Sequence, residues 1–183
     1  HNQSGCGLYH EWFNAYMTMG SGVSFLIHQH SGDPHALETL TRNALLEKRQ
    51  IEGGKVDDLQ LQTAEVVITD ALQLPCKKIL HVLTPPGRDD ELSYMQLGQC
   101  YYNCLELMKN ASSDNLQLRS IAFCCLGCGK SKFSIVDSAH AALRTIRDWL
   151  QVNKNTVDRI LFVVNKPQNQ QVYEVLLPLY FPC

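Results

Sequence analysis

Residues 121–132 constrain this chain more than any other stretch. Ile121-Ala122-Phe123-Cys124-Cys125-Leu126 is wholly apolar, Gly127-Cys128-Gly129-Lys130-Ser131-Lys132 follows, and a helical pattern begins just beyond. An apolar run without alternation is what a strand covered on both faces requires. A strand that passes through a glycine-bearing loop into a helix is the unit of a parallel α/β sheet, whose ligands sit beyond the carboxyl ends of the strands. Gly127 and Gly129 let backbone amides approach a ligand closely, and the helix start adds a partial positive charge. Lys130 and Lys132 add two full charges. Together they suit a phosphate or pyrophosphate; the plainer alternative is a tight turn with solvated lysines. Gly129-Lys130-Ser131 also spells the end of a P-loop. That motif needs a glycine five residues before its Gly-Lys pair, where Cys124 stands, so a nucleotide triphosphatase is not expected.

The rest of the chain supplies the partners of such a unit. Asp33-Pro34 reads as a helix start, with Asp as cap and Pro at the first helical position. Leu37, Leu40, Ala44 and Leu45 then recur at helical spacing. Residues 65–69 and 78–83 are short β-branched or apolar runs, read as strands, the second stopped by Pro85-Pro86-Gly87. Residues 91–109 read as a helix, with Leu97, Cys100, Tyr101, Cys104, Leu105 and Met108 as its apolar stripe. Ser134, three residues ahead of Asp137, caps the helix carrying Ala139, Ala142, Leu143, Ile146 and Trp149. Residues 160–164 read as another buried strand and 170–180 as the last helix. Residues 1–19 are aperiodic; Trp12-Phe13-Asn14-Ala15 reads at most as a strand end. Strands alternating with helices predict an α/β protein with a largely parallel sheet between helical layers.

Composition narrows the function classes. Sixteen Lys and Arg against 18 Asp and Glu leave a net charge of −2, which excludes nucleic-acid binding by phosphate neutralisation alone. No apolar run approaches the ~18 residues of a membrane span, so no membrane contact is expected. The chain has no initiator Met and no signal-peptide pattern, and reads as a fragment. Eight cysteines include Cys100 and Cys104 at helical spacing and Cys124 and Cys125 in an apolar run. They read mainly as buried thiols in a reducing, intracellular compartment, cytoplasmic or nuclear. Cys124, Cys125 and Cys128 lack a second ligand cluster, so neither a metal nor another cofactor is expected. His28 and His30 lie about 200° apart on a helix and cannot readily share an ion. His81 reads as a core histidine.

Three stretches, in order, resemble the macro domain family, whose members bind ADP-ribose and related nucleotides. Residues 20–32, beginning Gly20-Ser21-Gly22-Val23-Ser24, are similar to its first ligand loop and the following helix. Residues 63–81, from Thr63-Ala64-Glu65 through Leu74-Pro75 to Ile79-Leu80-His81, resemble its central segment, and 121–150 its second phosphate loop and helix. The resemblance implies a three-layer α/β/α fold with a mixed, largely parallel sheet over 20–183, with 1–19 left unassigned. It also implies a ligand site of Asn14, Gly20, Ser21, Gly22, Val23, Ser24, Gly127, Cys128, Gly129, Lys130, Ser131 and Lys132.

The departures bear on chemistry. Ser24 stands where active members of the family carry Asp, and Phe25 where Gly is usual. Gly127-Cys128-Gly129 replaces Ser-Thr-Gly, and Lys130, Ser131 and Lys132 replace an apolar-aromatic-Gly run. No catalytic residue is assigned. The resulting expectation is a degenerate, non-catalytic, monomeric module for ADP-ribose, another nucleotide, an ADP-ribosylated protein or an RNA end. An ADP-ribosyl hydrolase and a ligand-dead scaffold are the alternatives.

Overall fold

The computed structural model describes residues 8–12, 22–53, 59–112 and 117–182. In chain order the elements are β1 (Leu8–Trp12), α1 (Val23–His30), α2 (Pro34–Ile51), β2 (Val66–Asp70) and β3 (Lys78–Val82). They continue as α3 (Glu91–Ala111), β4 (Ser120–Cys124), α4 (Ile135–Val152), β5 (Arg159–Val163) and α5 (Pro167–Tyr180). One five-stranded sheet has the order β2-β3-β1-β4-β5. β1 is parallel to β3 and to β4, β4 is parallel to β5, and β2 alone runs antiparallel, against β3. The mixed, largely parallel sheet agrees with the sequence expectation. Among the described residues no helix is long and apolar enough to cross a membrane.

Alternation along each strand sorts the two helical layers. Val66, Leu80, Val82, Ile121 and Phe123 pack with α3 and α4 around Leu97, Tyr101, Leu105, Ile146 and Trp149. Ile79 turns the other way, onto Ile27 of α1 and Leu37 of α2, and Val67 onto Leu45. Buried His81 sits on that second face, its Nε2 2.7 Å from Thr69 Oγ1 and 3.4 Å from Thr41 Oγ1, linking β2, β3 and α2. α5 packs on α4 through Ala139, Leu143, Tyr173 and Leu176. The expected caps are in place. Asp33 accepts from the Ala36 amide at 2.9 Å and Ser134 from the Asp137 amide at 3.1 Å, each cap contributing about 1 kcal/mol.

Two sequence readings change. Residues 160–164 form no strand buried on both faces. β5 is an edge strand on which Ile160 and Phe162 are half-buried while Leu161 and Val163 are 37% and 52% exposed. The sheet face carrying those two residues lies away from α4 and α5, so among the described residues the apolar run packs under helices on one side. Second, the sheet has a central strand, β1, in a segment that reads as aperiodic. Leu8-Tyr9-His10-Glu11-Trp12 mixes charge with aromatics, unlike the apolar run expected of a central parallel strand.

β4 ends at Cys124, two residues short of the apolar run, because both backbone groups of Leu126 are captured by side chains. Its amide donates to the hydroxyl of fully buried Tyr101 on α3 at 3.1 Å, and its carbonyl accepts from Ser138 Oγ on α4 at 2.6 Å. The Tyr101 ring packs against Phe123 with centroids 5.1 Å apart and planes tilted by 55°, and burial raises its phenol well above the ordinary value. The opposite side of the molecule is tied by Glu65. It meets both guanidinium nitrogens of Arg49, Oε2 lying 2.7 Å from Nη2, and accepts from the Gln62 amide at 2.9 Å. Lys48 Nζ lies 3.2 Å away. Burial alone would raise the Glu65 carboxyl; the Arg49 and Gln62 hydrogen bonds and the Lys48 charge outweigh it and hold the group below its usual range.

Tyr101→Phe leaves the buried Leu126 amide without its acceptor and is expected to lower stability by about 1–3 kcal/mol in urea unfolding. Glu65→Gln is expected to cost a similar 1–3 kcal/mol, about as much as other charged hydrogen bonds, at pH 7. A carboxylate depressed by folding stabilises above its unfolded pKa, and that stabilisation is lost as pH falls through the folded value. The gap between Glu65→Gln and wild type should therefore close below about pH 4, and a gap that persists there would show that packing and not charge is responsible.

Candidate functional site

All parallel strands of the sheet end at one edge, and the chain order reverses between β1 and β4. After β1 the chain enters α1 and α2 and returns on the β2–β3 side; after β4 it enters α4 and returns as β5 on the other side. This is the switch-point geometry at which open α/β sheets form their ligand crevice. The connections that follow β1 and β4 are those predicted to hold ligand.

The loop after β4 is built from its root at Leu126. Gly127 has φ +81°, the left-handed region that favours glycine. A Cβ there would also lie 2.7 Å from the Phe133 ring and 3.3 Å from Leu97, so the position needs glycine for space as well as for conformation. The Phe133 amide returns to the Gly127 carbonyl at 3.0 Å and the Lys132 amide to Gly129 at 3.1 Å. Buried Ser131 has its hydroxyl 2.8 Å from that of Thr84, and its carbonyl accepts from the Gly87 amide. A Cβ on Gly87 would fall 2.3 Å from that carbonyl oxygen. The Pro85-Pro86-Gly87 segment after β3 therefore presses directly against the loop and supports it. Gly129 is exposed and open, with no atom within 4 Å of an added Cβ, and Lys130 and Lys132 are exposed beside it. Lys132 adopts φ +64° at the position for which the resemblance implies Gly. The loop thus keeps a conformation that a lysine adopts only at some strain.

The first loop is described from Gly22 onward; Asn14, Gly20 and Ser21 lie outside the described residues, as do Tyr16 and Met17. Gly22, at φ +67°, caps α1 and its carbonyl accepts from the Leu26 amide at 3.2 Å. Val23 and Phe25 are each 37% exposed, whereas Ser24 is fully buried in the first turn, its carbonyl accepting from His28 Nδ1 at 2.9 Å. His30 binds the Leu26 carbonyl one turn back in the same way, so buried His28 and exposed His30 face apart on α1. Of the predicted ligand residues, the structure sets Gly22, Val23 and Ser24 at the start of the helix that follows β1. It sets Gly127, Cys128, Gly129, Lys130, Ser131 and Lys132 after β4, with Cys128 half-buried. The hydroxyl of Ser131 is committed to Thr84, and that of Ser24 is enclosed, whereas Gly129, Lys130 and Lys132 are exposed among the described residues. Sequence reasoning did not assign Thr84, Gly87, Tyr101 or Ser138 to the site. A strand followed by Pro-Pro-Gly was the signal for the first two.

The model of the Macro domain matches residues 13–142. Ganglioside-induced differentiation-associated protein 2 from Homo sapiens is 32% identical over 132 residues, 69% of this chain and 25% of that protein. ADP-ribose glycohydrolase MACROD1 from Rattus norvegicus is 31% identical over 123 residues, 66% of this chain and 46% of that protein. The chain spans about a quarter of the length of the first of these relatives. Among solved structures, the macro domain of ganglioside-induced differentiation-associated protein 2 superposes with a TM-score of 0.75 at 27% identity, covering 97% of this chain and 78% of that one. A mutant of the Oceanobacillus iheyensis macrodomain with ADPR superposes with a TM-score of 0.79 at 27% identity, covering 95% and 86%. The three-layer architecture, the switch-point loops and the family match agree, and the chain belongs to the Macro domain family.

Proposed function

We propose that this chain is a binding module for ADP-ribose or a related nucleotide and that it does not catalyse hydrolysis. The observation that carries the binding half is the loop after β4. Tyr101, Ser138, Thr84 and Gly87 brace it from within, while Gly129, Lys130 and Lys132 are open to solvent at the switch point. A rigid run of backbone there, leading towards the start of α4 and flanked by two ammonium groups, is suited to a pyrophosphate. Relatives solved with ADPR or with ADP support the ligand class.

The non-catalytic half rests on Ser24. The resemblance implies Asp at that position, and a buried hydroxyl supplies neither the charge nor the basicity that would activate water. General-base assistance is worth about 10²–10⁴-fold in rate. The hydrolase reading stays as the second one because MACROD1, a glycohydrolase by name, is among the relatives. Partners of the same chemistry, an ADP-ribosylated protein or an RNA end, would enter through the same phosphate contacts. Among the described residues Cys76, Cys100, Cys104, Cys124, Cys125 and Cys128 form no disulfide, which supports an intracellular setting, and we take the chain to act as a monomer.

Calorimetric titration of the folded chain with ADP-ribose is expected to give micromolar binding that weakens as salt rises, because the lysines are exposed. A Cβ added at Gly129 has no atom within 4 Å, so Gly129→Glu is tolerated at the backbone yet sets a carboxylate beside the pyrophosphate. It should weaken binding by about tenfold or more at unchanged stability. No heat at millimolar ADP-ribose would sink the ligand assignment. Release of ADP-ribose from an ADP-ribosylated protein should run about 10²-fold or more below MACROD1 assayed alongside; equal rates would make the chain a hydrolase. Lys132→Gly relieves the left-handed strain and should raise stability by about 1 kcal/mol in urea unfolding, while weakening ADP-ribose where the ammonium contributes.

A further inference from the structure

The same loop holds two thiols, Cys125 outside the predicted ligand residues and Cys128 among them. Cys125 and Cys128 flank Leu126 and Gly127, and both are half-buried. The chain turns between them, the Cys128 amide donating to the Cys125 carbonyl at 3.4 Å with Gly127 at φ +81°. A turn of this kind holds its end Cα atoms within about 7 Å, and a disulfide needs a Cα separation of roughly 4.4–6.8 Å. Tyr173 of α5 brings its hydroxyl 3.5 Å from Cys125 Sγ, and the nearby Cys128 thiol acts on that of Cys125.

The neighbouring cysteines are placed differently. Cys124 packs against the main core with α3, whereas Cys125 packs against the cluster that α4 makes with α5. Cys100 and Cys104 are fully buried, and burial pushes both thiols up, Cys100 to about 12. At Cys125 the hydrogen bond from Cys128 outweighs desolvation and, with that of Tyr173, lowers the thiol to about 7. Cys128, as the donor of that bond, is pushed up. One thiol is set up as the nucleophile and the other as its resolving partner.

We propose that Cys125 and Cys128 form a reversible disulfide on exposure to a peroxide, and that closing it alters the anion-binding loop. The Cys125 thiolate attacks one peroxide oxygen and the O–O bond breaks. Cys125 becomes a sulfenic acid, and the hydroxide released takes up the proton that Cys125 had lost. Cys128 sulfur then attacks Cys125 sulfur, the S–O bond breaks, and the Cys128 proton leaves with the departing oxygen as water. Two thiols lose two electrons and one peroxide becomes two waters. A reductant of the dithiol class reverses the step. The effect on the loop rests on the binding reading above, since the bridge would fix Cys128 and so re-aim the amides that follow it.

The test is thiol mapping of the whole chain after treatment with hydrogen peroxide, alkylation and digestion with trypsin. Cleavage after Arg119 and Lys130 puts Cys124, Cys125 and Cys128 on one peptide. The expected product is two hydrogens lighter, alkylated at Cys124 only, restored by dithiothreitol and still formed in Cys124→Ser. Three alkylated cysteines, or a bond from Cys124 or to a second chain, would overturn the proposal on the wild-type protein alone. ADP-ribose titration of the reduced and bridged forms is expected to differ by about fivefold or more in Kd. Equal Kd values would overturn the coupling. A bridge that forms in a chain binding no ADP-ribose in either state would instead overturn the binding reading and leave the thiol pair standing.

Discussion

The structure turns on the capture of Leu126. A strand in the middle of a buried sheet has to end somewhere, and each backbone group it releases must find a partner or carry a desolvation penalty. Here the amide goes to Tyr101 on α3 and the carbonyl to Ser138 on α4. One residue therefore ties the end of β4 to two helices of one layer, α3 and α4. The loop that follows starts from a fixed point, and its far end is held by Thr84 and Gly87 from the connection after β3. What remains free is the outward surface, and that is the part suited to a ligand.

The same construction fixes the backbone of the loop through groups that lie behind it. Backbone amides bind anions by position, and position is set here by groups behind the loop. Cys128 and Lys130 vary the surface without disturbing that support. Lys132 is more telling: the backbone keeps the left-handed geometry although the side chain disfavours it, so the surrounding contacts over-determine the conformation. A change at Ser24 is of another kind. The chemistry of water activation depends on the side chain itself, and no backbone can replace a carboxylate.

Legibility followed how local each signal is. Asp33-Pro34 and Ser134 marked helix starts because a cap acts within three residues of itself. The stripe of Leu97, Cys100, Tyr101, Cys104, Leu105 and Met108 marked α3 because burial repeats with the helical turn. The edge position of β5 was not legible: Ile160, Leu161, Phe162 and Val163 are all apolar, and only the sheet order shows that β5 pairs on one side alone among the described strands. β1 was missed for the opposite reason. His10 and Glu11 hide a strand whose central place comes from its pairing with β3 and β4.

By itself the sequence determined the fold class, the loop with its glycines and lysines, and the replacement of an expected carboxylate by Ser24. Each is a matter of residue type, of spacing along the chain, or of resemblance to a family. The tertiary structure alone decided which polar side chains are turned inward, as Ser131 is to Thr84, and that Ser24 is fully buried. It also decided that Cys125 meets Tyr173 while its neighbour Cys124 faces the core. Such choices depend on elements that lie far apart in the chain and are brought together only when the sheet is closed between its two helical layers.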